Sequence, residues 1–465
     1  MANPGTPDNP LRVAVIGSGP AAFYATVDLL KDGGPEARVD MFDRLPTPFG
    51  LVRAGVAPDH PKIKNVIKIY EKAAANPNFR FFGNVTVGSD ISHADLARSY
   101  HAVIYGVGAQ TDRHMGIPGE DLPGSHPATA FVAWYNAHPD FADEQFNLDV
   151  ERAVIIGNGN VAMDVARMLS VSREQISKTD VADHAIEPLT SSSLKEVLVV
   201  GRRGPAQAAF TNPELLELPE LTVADVHVDP AEAALDELSQ RQLDEGLLDK
   251  TRRRNVEILQ EYAAAASSGR DKRISLRFLL SPEEIRGNGR VEEIVLARNE
   301  LYRDGDGQIR ARETGEHETV PCGLVLRSIG YRGVPIEGVP FDEWKGTIPN
   351  DRGMVLNTES QEHIPGLYAV GWIKRGPSGV IGTNKRDAQE TVAILLDELA
   401  EGRLPEPEEP NRDALDALIA ERVPDLVTYA GWQAIDAAEV AAGEPQGRPR
   451  VKFATWDGLV GASRG

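Results

Sequence analysis

Cysteine is nearly absent: Cys322 is the only one in 465 residues. One thiol excludes an intramolecular disulfide, a CxxC dithiol and a self-contained four-cysteine iron–sulfur cluster. Long apolar runs are missing as well. No stretch approaches the ~20 residues that span a bilayer, and the opening MANPGTPDNP has neither the basic region nor the apolar core of a secretory signal. Positive charge is in deficit, with 49 Lys and Arg against 70 Asp and Glu and a net charge of −21. That balance argues against general binding to nucleic acid or an anionic membrane surface, yet leaves room for a local basic patch. A reducing, cytoplasmic location is the expectation. The remaining composition, 41% hydrophobic and 26% charged, is that of an ordinary globular chain. The length suits about three domains or fewer.

What the chain does have is glycine at the ends of buried strands. Residues 12–16 read as a strand, and Gly17-Ser18-Gly19-Pro20-Ala21-Ala22 turns from it into a helix over 21–31. A dinucleotide needs this arrangement. The first glycine permits the turn, the second lets backbone approach a pyrophosphate, and a small third residue allows close helix–strand packing. The helix N-terminus then offers N–H groups and a positive dipole end to the phosphates. A second strand, 39–42, leads to Asp43, 26 residues after Gly17 and placed for a ribose hydroxyl.

The pattern restarts at 152–156 with Gly157-Asn158-Gly159-Asn160-Val161-Ala162. Here the later strand, 196–200, runs into Arg202 and Arg203 where the first unit has Asp43. A carboxylate favours an unmodified ribose, whereas guanidinium groups bind a 2′-phosphate bidentately. The first turn therefore reads as a site for FAD or NAD and the second for NADP(H). An insertion over 170–193 stretches the second spacing to 45 residues.

Elsewhere, 51–64 reads as loop, 65–75 as helix and 80–87 as a strand pair. A strand over 101–107 leads into a second glycine pair, Gly106 and Gly108, and 112–124 reads as a crossing between domains. Residues 230–266 look helical, with a basic run Lys250, Arg252, Arg253 and Arg254. Residues 274–280 and 291–299 alternate like antiparallel strands, with a hairpin turn at 304–307. The chain then returns to the first domain through a strand over 366–372 and a glycine-rich loop, 376–384, that opens a helix over 385–398. A Pro/Glu-rich linker, 401–410, two helical stretches and a short basic tail follow.

TPFGLVR at 47–53, GVAPDHP at 55–61, GNGNVAMDVAR at 157–167, GRRGP at 201–205 and GWIKRGPSGVIGTN at 371–384 together resemble the adrenodoxin reductase family, in particular its bacterial NADPH:ferredoxin reductases. The likeness runs over nearly the whole chain, with Asp43 where the family usually has glutamate and Ser378 where threonine is common. It implies an α/β fold of two interleaved Rossmann-like dinucleotide-binding domains, as in glutathione-reductase-type flavoproteins. The FAD-binding domain would be 1–110 with 333–465, and the NADP(H)-binding domain 111–332. Gly17, Gly19, Ala21, Asp43, Leu51, Val87, Trp372, Gly379, Val380 and Ile381 would serve FAD, and Arg113 is a further cofactor-binding candidate. Asn158, Gly159, Asn160, Val161, Arg202, Arg203, Glu214 and again Gly379 would serve NADP(H). His60 and Glu214 would be the catalytic, proton-handling pair.

The implied activity is hydride transfer from NADPH to non-covalent FAD, then single-electron transfer to a ferredoxin-type iron–sulfur protein. Such an acidic partner would dock on a local basic surface, for which Arg252, Arg253 and Arg254 are the candidates. A lone cysteine disfavours a disulfide reductase. A quinone reductase or monooxygenase would show a substrate pocket beside the flavin, and a mere NADP(H) sensor would be colourless.

Overall fold

The computed structural model describes residues 4–409 and 411–465. Met1, Ala2 and Asn3, at the head of the N-terminal stretch, and Pro410, the last residue of the 401–410 linker, lie outside the described residues. The chain divides into two compact units, Met1–Thr111 with Tyr331–Gly465, and Asp112–Gly330.

The first unit is built on a seven-stranded sheet in the order Asn350–Asp351, Met354–Leu356, His363–Ala369, Ala102–Tyr105, Leu11–Ile16, Ala37–Asp43, Phe79–Gly83. The last five strands are parallel; the first two are joined to them antiparallel. Parallel strands covered on both faces are largely apolar, and Leu11–Ile16 is buried at every position, Arg12 being its one charged residue. Val13 and Val15 join Phe23, Tyr70 and Leu395 in one cluster, while Ala14 and Ile16 join Phe42, Tyr105 and Ile373 in another. The helices Pro20–Leu29 and Ile381–Ala400 pack against each other.

The second unit carries an all-parallel six-stranded sheet, Ser125–Pro127, Leu324–Arg327, Arg152–Ile156, Glu196–Gly201, Lys272–Phe278, Ala224–Val228. A separate antiparallel sheet joins Leu280–Arg286, Glu293–Arg303 and Ile309–Pro321. In each unit the strand before the glycine turn has its successor on one side and a strand from later in the chain on the other. Ligand crevices in such sheets open at the carboxyl end of that switch point.

Several local expectations need correcting. The 80–87 strand pair is a single strand, Phe79–Gly83, stopped where Asn84 adopts φ of 63°. Residues 274–280 are not half of an antiparallel pair. Lys272–Phe278 completes the parallel sheet, and Leu279, at φ of 57°, swings the chain into the antiparallel sheet. The loop at 51–64 holds two short helices, Leu51–Ala54 and Pro61–Lys64. The helix expected from 385 starts at Ile381, inside the glycine-rich loop. The basic tail contains the helix Trp456–Ala462, capped by Thr455. Among the described residues no helix is long and apolar enough to cross a membrane.

Candidate functional site

The two glycine turns are built alike. Gly17 N–H donates to the Phe42 carbonyl (2.7 Å), and Gly106 N–H to that of Ile16 (2.7 Å). In the second unit Gly157 N–H donates to Val200 (2.9 Å), and Ser328 N–H to Ile156 (2.7 Å). Each first glycine has a positive φ, 92° at Gly17 and 120° at Gly157. A Cβ there would meet Gly106 O at 2.6 Å in one turn and overlap Ser328 O in the other. Each second glycine, Gly19 or Gly159, instead has nothing within 4 Å of where a Cβ would stand. Gly19 and Gly159 are also the N-caps of Pro20–Leu29 and Asn160–Ser170, and no side chain caps either helix. Tight first glycine, open second glycine and an uncapped helix end are what the phosphates of a dinucleotide require.

In the first unit Asp43 closes onto its own turn. Its carboxylate accepts from Ser18 N (2.8 Å), Ser18 Oγ (2.5 Å) and Leu45 N (2.8 Å). Desolvation pushes its pKa up, and the three hydrogen bonds pull the other way. Val85 N–H donates to the Asp43 carbonyl (2.9 Å), which brings the segment carrying half-buried Val87 beside the turn. Phe49 N–H donates to Ser18 O (3.0 Å), and a Cβ on Gly50 would lie 2.9 Å from Gly19 Cα. Leu51, 39% exposed, therefore begins its helix next to the turn. Gly371 also packs here: a Cβ on it would lie 2.6 Å from that of Ala21. Its neighbour Trp372 has a buried Nε1–H with no acceptor among the described residues.

Gly379, at φ of 81°, and exposed Val380 lead into Ile381, the first residue of the 20-residue helix Ile381–Ala400. Arg375 clamps this loop through the Ser378 carbonyl and Asn384 Oδ1. His60 is buried at the start of the helix Pro61–Lys64, its N–H on the Ala57 carbonyl (3.0 Å). Arg113 lies in the second unit, exposed, its N–H bonded to Gly330 O (3.1 Å).

In the second unit Asn158 packs its amide against Gly201, and its carbonyl accepts from Ala209 N (3.1 Å). Asn160 Oδ1 accepts from Thr211 N (2.9 Å), and half-buried Val161 follows. Exposed Arg202 and half-buried Arg203 leave the strand Glu196–Gly201 with no side-chain partner among the described residues. Burial, then repulsion from Arg202, Arg252 and Arg310, holds the Arg203 pKa below its ordinary value. Glu214 is buried and accepts from buried Arg167 (3.2 Å), which also reaches Glu217 (3.1 Å) and Asp164 (3.1 Å). Asp164 thus serves a structural arginine. The basic run divides by helix face: Arg254 is paired with Glu257 (2.9 Å) and Glu261 (3.0 Å), Arg252 neighbours Arg203, and Arg253 and Lys250 have no side-chain partner among the described residues.

With this geometry in view, comparison with known proteins is decisive. The sequence profile of the pyridine nucleotide-disulphide oxidoreductase family matches residues 11–381. The chain belongs to this family. It is 51% identical over 457 residues to the NADPH-ferredoxin reductase FprA of Mycobacterium tuberculosis, covering 96% of this chain and 97% of that one. It is 40% identical to the mitochondrial NADPH:adrenodoxin oxidoreductase of Arabidopsis thaliana, over 98% of this chain and 95% of the relative. A solved structure of M. tuberculosis FprA in complex with NADPH superposes with a TM-score of 0.92 at 50% identity, over 98% of this chain and all of that one. The resemblance read from the motifs is therefore to the right relatives. As a member of this family the chain is an oxidoreductase with an α/β fold of parallel sheets. Its lone Cys322 is buried, which pushes the thiol pKa up to about 12, away from thiolate chemistry.

Residue-by-residue reading missed three contributors. Ser18 fixes Asp43 through its hydroxyl, and only the Gly-x-Gly spacing hinted at it. Phe49, at φ of 83°, is buried against Phe23, Tyr70 and Trp432, and holds the TPFG turn in a conformation unusual for a bulky residue. Glu439, 386 positions from Arg53 in sequence, clasps the helix Leu51–Ala54 from the far end of the chain; no local signal marks it.

Proposed function

We propose that this chain is an NADPH:ferredoxin oxidoreductase that takes hydride from NADPH on a non-covalent FAD and hands single electrons to an iron–sulfur protein. The observation that carries the reading is the duplicated turn with opposite charge: Asp43 at one, unpartnered Arg202 and Arg203 at the other. FAD, when bound, would supply the exchange between two-electron and one-electron chemistry. The open Gly19, the uncapped helix behind it and the acceptor-less Trp372 Nε1 fit a flavin dinucleotide. Gly17, Gly19, Ala21, Asp43, Leu51, Val87, Trp372, Gly379, Val380 and Ile381 would hold it.

Gly159, Asn158, Asn160 and Val161 would hold the NADPH pyrophosphate side, and Arg202 and Arg203 its 2′-phosphate. Arg113 would be a further cofactor contact. His60 and Glu214 would hold and move protons near the reacting rings, with Glu214 positioned by Arg167. The partner would dock through the Arg252, Arg253 and Arg254 run, chiefly by its unpaired outer cations Lys250 and Arg253. A lone buried cysteine suits a cytoplasmic setting.

The test is direct. Heat-released cofactor should be FAD at about one per chain, and anaerobic NADPH should bleach it and then reduce an added ferredoxin. A protein that takes up no flavin from excess FAD would overturn the reading.

A further inference from the structure

We infer that Arg252 is a third guanidinium of the 2′-phosphate subsite and helps set the preference for a phosphorylated dinucleotide. The inference rests on the NADPH reading above and adds a residue that the strand-end signal, Arg202-Arg203, does not contain.

The placement follows from how the helix Lys250–Ala264 is hung. Ala206, three residues beyond Arg203, is buried in a cluster with Leu248 and Val256. Val256 stands four residues after Arg252, so the two share a helix face, and that face meets the 202–206 turn. Hydrogen bonds stitch the same end of the helix to the glycine turn. Asn212 Nδ2 donates to Thr251 O (2.9 Å) and Asn255 Oδ1 (2.7 Å), and Asn255 Nδ2 to Phe210 O (2.9 Å). Thr211 and Ala209 are in turn bonded to Asn160 and Asn158. Helix start, glycine turn and arginine pair are thus one connected body.

The charges around Arg203 leave an anion wanting. Arg202, Arg252 and Arg310 all repel it. Asp304 pairs with Arg310 (2.9 Å), and Asp236 caps the helix Glu237–Asp244 through Oδ1, its Oδ2 lying 3.7 Å from where a Cβ on Gly204 would stand; neither forms an ion pair with Arg203 among the described residues. Asp249 spends one oxygen on the Arg252 N–H (2.9 Å), and its other lies 3.6 Å from Arg252 Nε, a loose contact between exposed groups. Arg252 is free to turn toward a phosphate at little cost.

Arg252→Ala tests this in the FAD-loaded protein by calorimetric titration with 2′,5′-ADP and 5′-AMP. Alanine keeps the helix, since its propensity is high and the Asp249 cap acts on backbone. The expected result is about a three- to tenfold weaker 2′,5′-ADP affinity, the size of a screened cation–dianion contact, with 5′-AMP unchanged and Arg252→Lys close to wild type. Arg253→Ala, on the outward face, should bind both ligands as wild type does. If Arg252→Ala binds 2′,5′-ADP normally while Arg202→Ala/Arg203→Ala does not, the inference falls and the NADPH reading stands. If the double variant also binds normally, the NADPH reading itself falls.

Discussion

Replacing Glu439 with glutamine should loosen the flavin-side loop from 386 positions away. Glu439 is fully buried and accepts two parallel bonds from Arg53 (2.8 and 2.5 Å), one from Arg450 (3.2 Å) and one from Phe453 N (2.9 Å). Arg450 keeps Asp436 when Glu439 loses its charge; Arg53, 9% exposed, is left with no anionic partner among the described residues, holding only the glutamine carbonyl and the face of Trp432 at 5.3 Å. Stranding one member of a buried ion pair costs about 3–5 kcal/mol. For a unit of this size that is on the order of 10 °C in Tm. Arg53 lies in the Leu51–Ala54 helix, so weaker FAD retention should accompany the lower Tm.

The pH dependence has a definite sign. Burial alone would raise the Glu439 pKa, but Arg53 and Arg450 more than reverse it and hold it below the ordinary 4.5. A depressed folded-state pKa means the contribution is complete above pH 4.5 and fades as pH falls through the lower folded value. The Tm gap between wild type and Glu439→Gln should therefore be constant from neutral pH down to about 5 and close below 4.5. Thermal melts followed by released-flavin fluorescence measure both effects. A gap of a degree or less at pH 7, with FAD retention unchanged, would refute the clasp.

Gly157→Ala should abolish 2′,5′-ADP binding while FAD content stays whole, because positive φ and overlap with the Ser328 carbonyl together cost about 2–6 kcal/mol; normal titration would show that the turn can open. Arg202→Ala/Arg203→Ala should raise KM for NADPH far more than for NADH, at about 1.5–3 kcal/mol for each lost charge-assisted bond, and steady-state kinetics with both nucleotides decide it. Lys250→Glu/Arg253→Glu should slow ferredoxin reduction and flatten its salt dependence while ferricyanide reduction is untouched; unchanged ferredoxin rates across a salt series would make those cations a solvated helix face.

What could be read from sequence was whatever is local. A Gly-x-Gly turn is set by φ at one residue and open space at another, and both instances stand where the spacing puts them. The carboxylate and the arginine pair follow within one strand of each turn. The misses have two physical sources. One is a single residue that redirects the chain without glycine: Leu279 turned a parallel strand into an apparent antiparallel partner, and Asn84 cut a strand pair to one strand. The other is contact across sequence. Alternation shows that a segment is half-buried but not what covers it. Nothing near Arg53 announces Glu439, and nothing near the Arg252, Arg253 and Arg254 run announces that its members face three different surroundings.

That division bears on how an acidic protein keeps an anion site. Acidic residues outnumber basic ones by 21, and several buried or half-buried arginines are satisfied: Arg167 by three carboxylates, half-buried Arg277 by Glu232 and Glu318, Arg327 by Asp112 and Glu120. Arg202 and Arg203 have no carboxylate partner among the described residues, although Asp236 stands beside Gly204 in the same turn. Asp236 spends Oδ1 on a helix cap, and Asp304 pairs with Arg310. If either were free to swing onto the pair, a bound phosphate would have to displace it, and the affinity difference between phosphorylated and unphosphorylated nucleotide would shrink by the strength of that internal bond. Holding Asp236 at the cap and off the pair preserves the discrimination. Burial, and after it repulsion from Arg202, Arg252 and Arg310, depresses Arg203, and an incoming dianion would offset that repulsion.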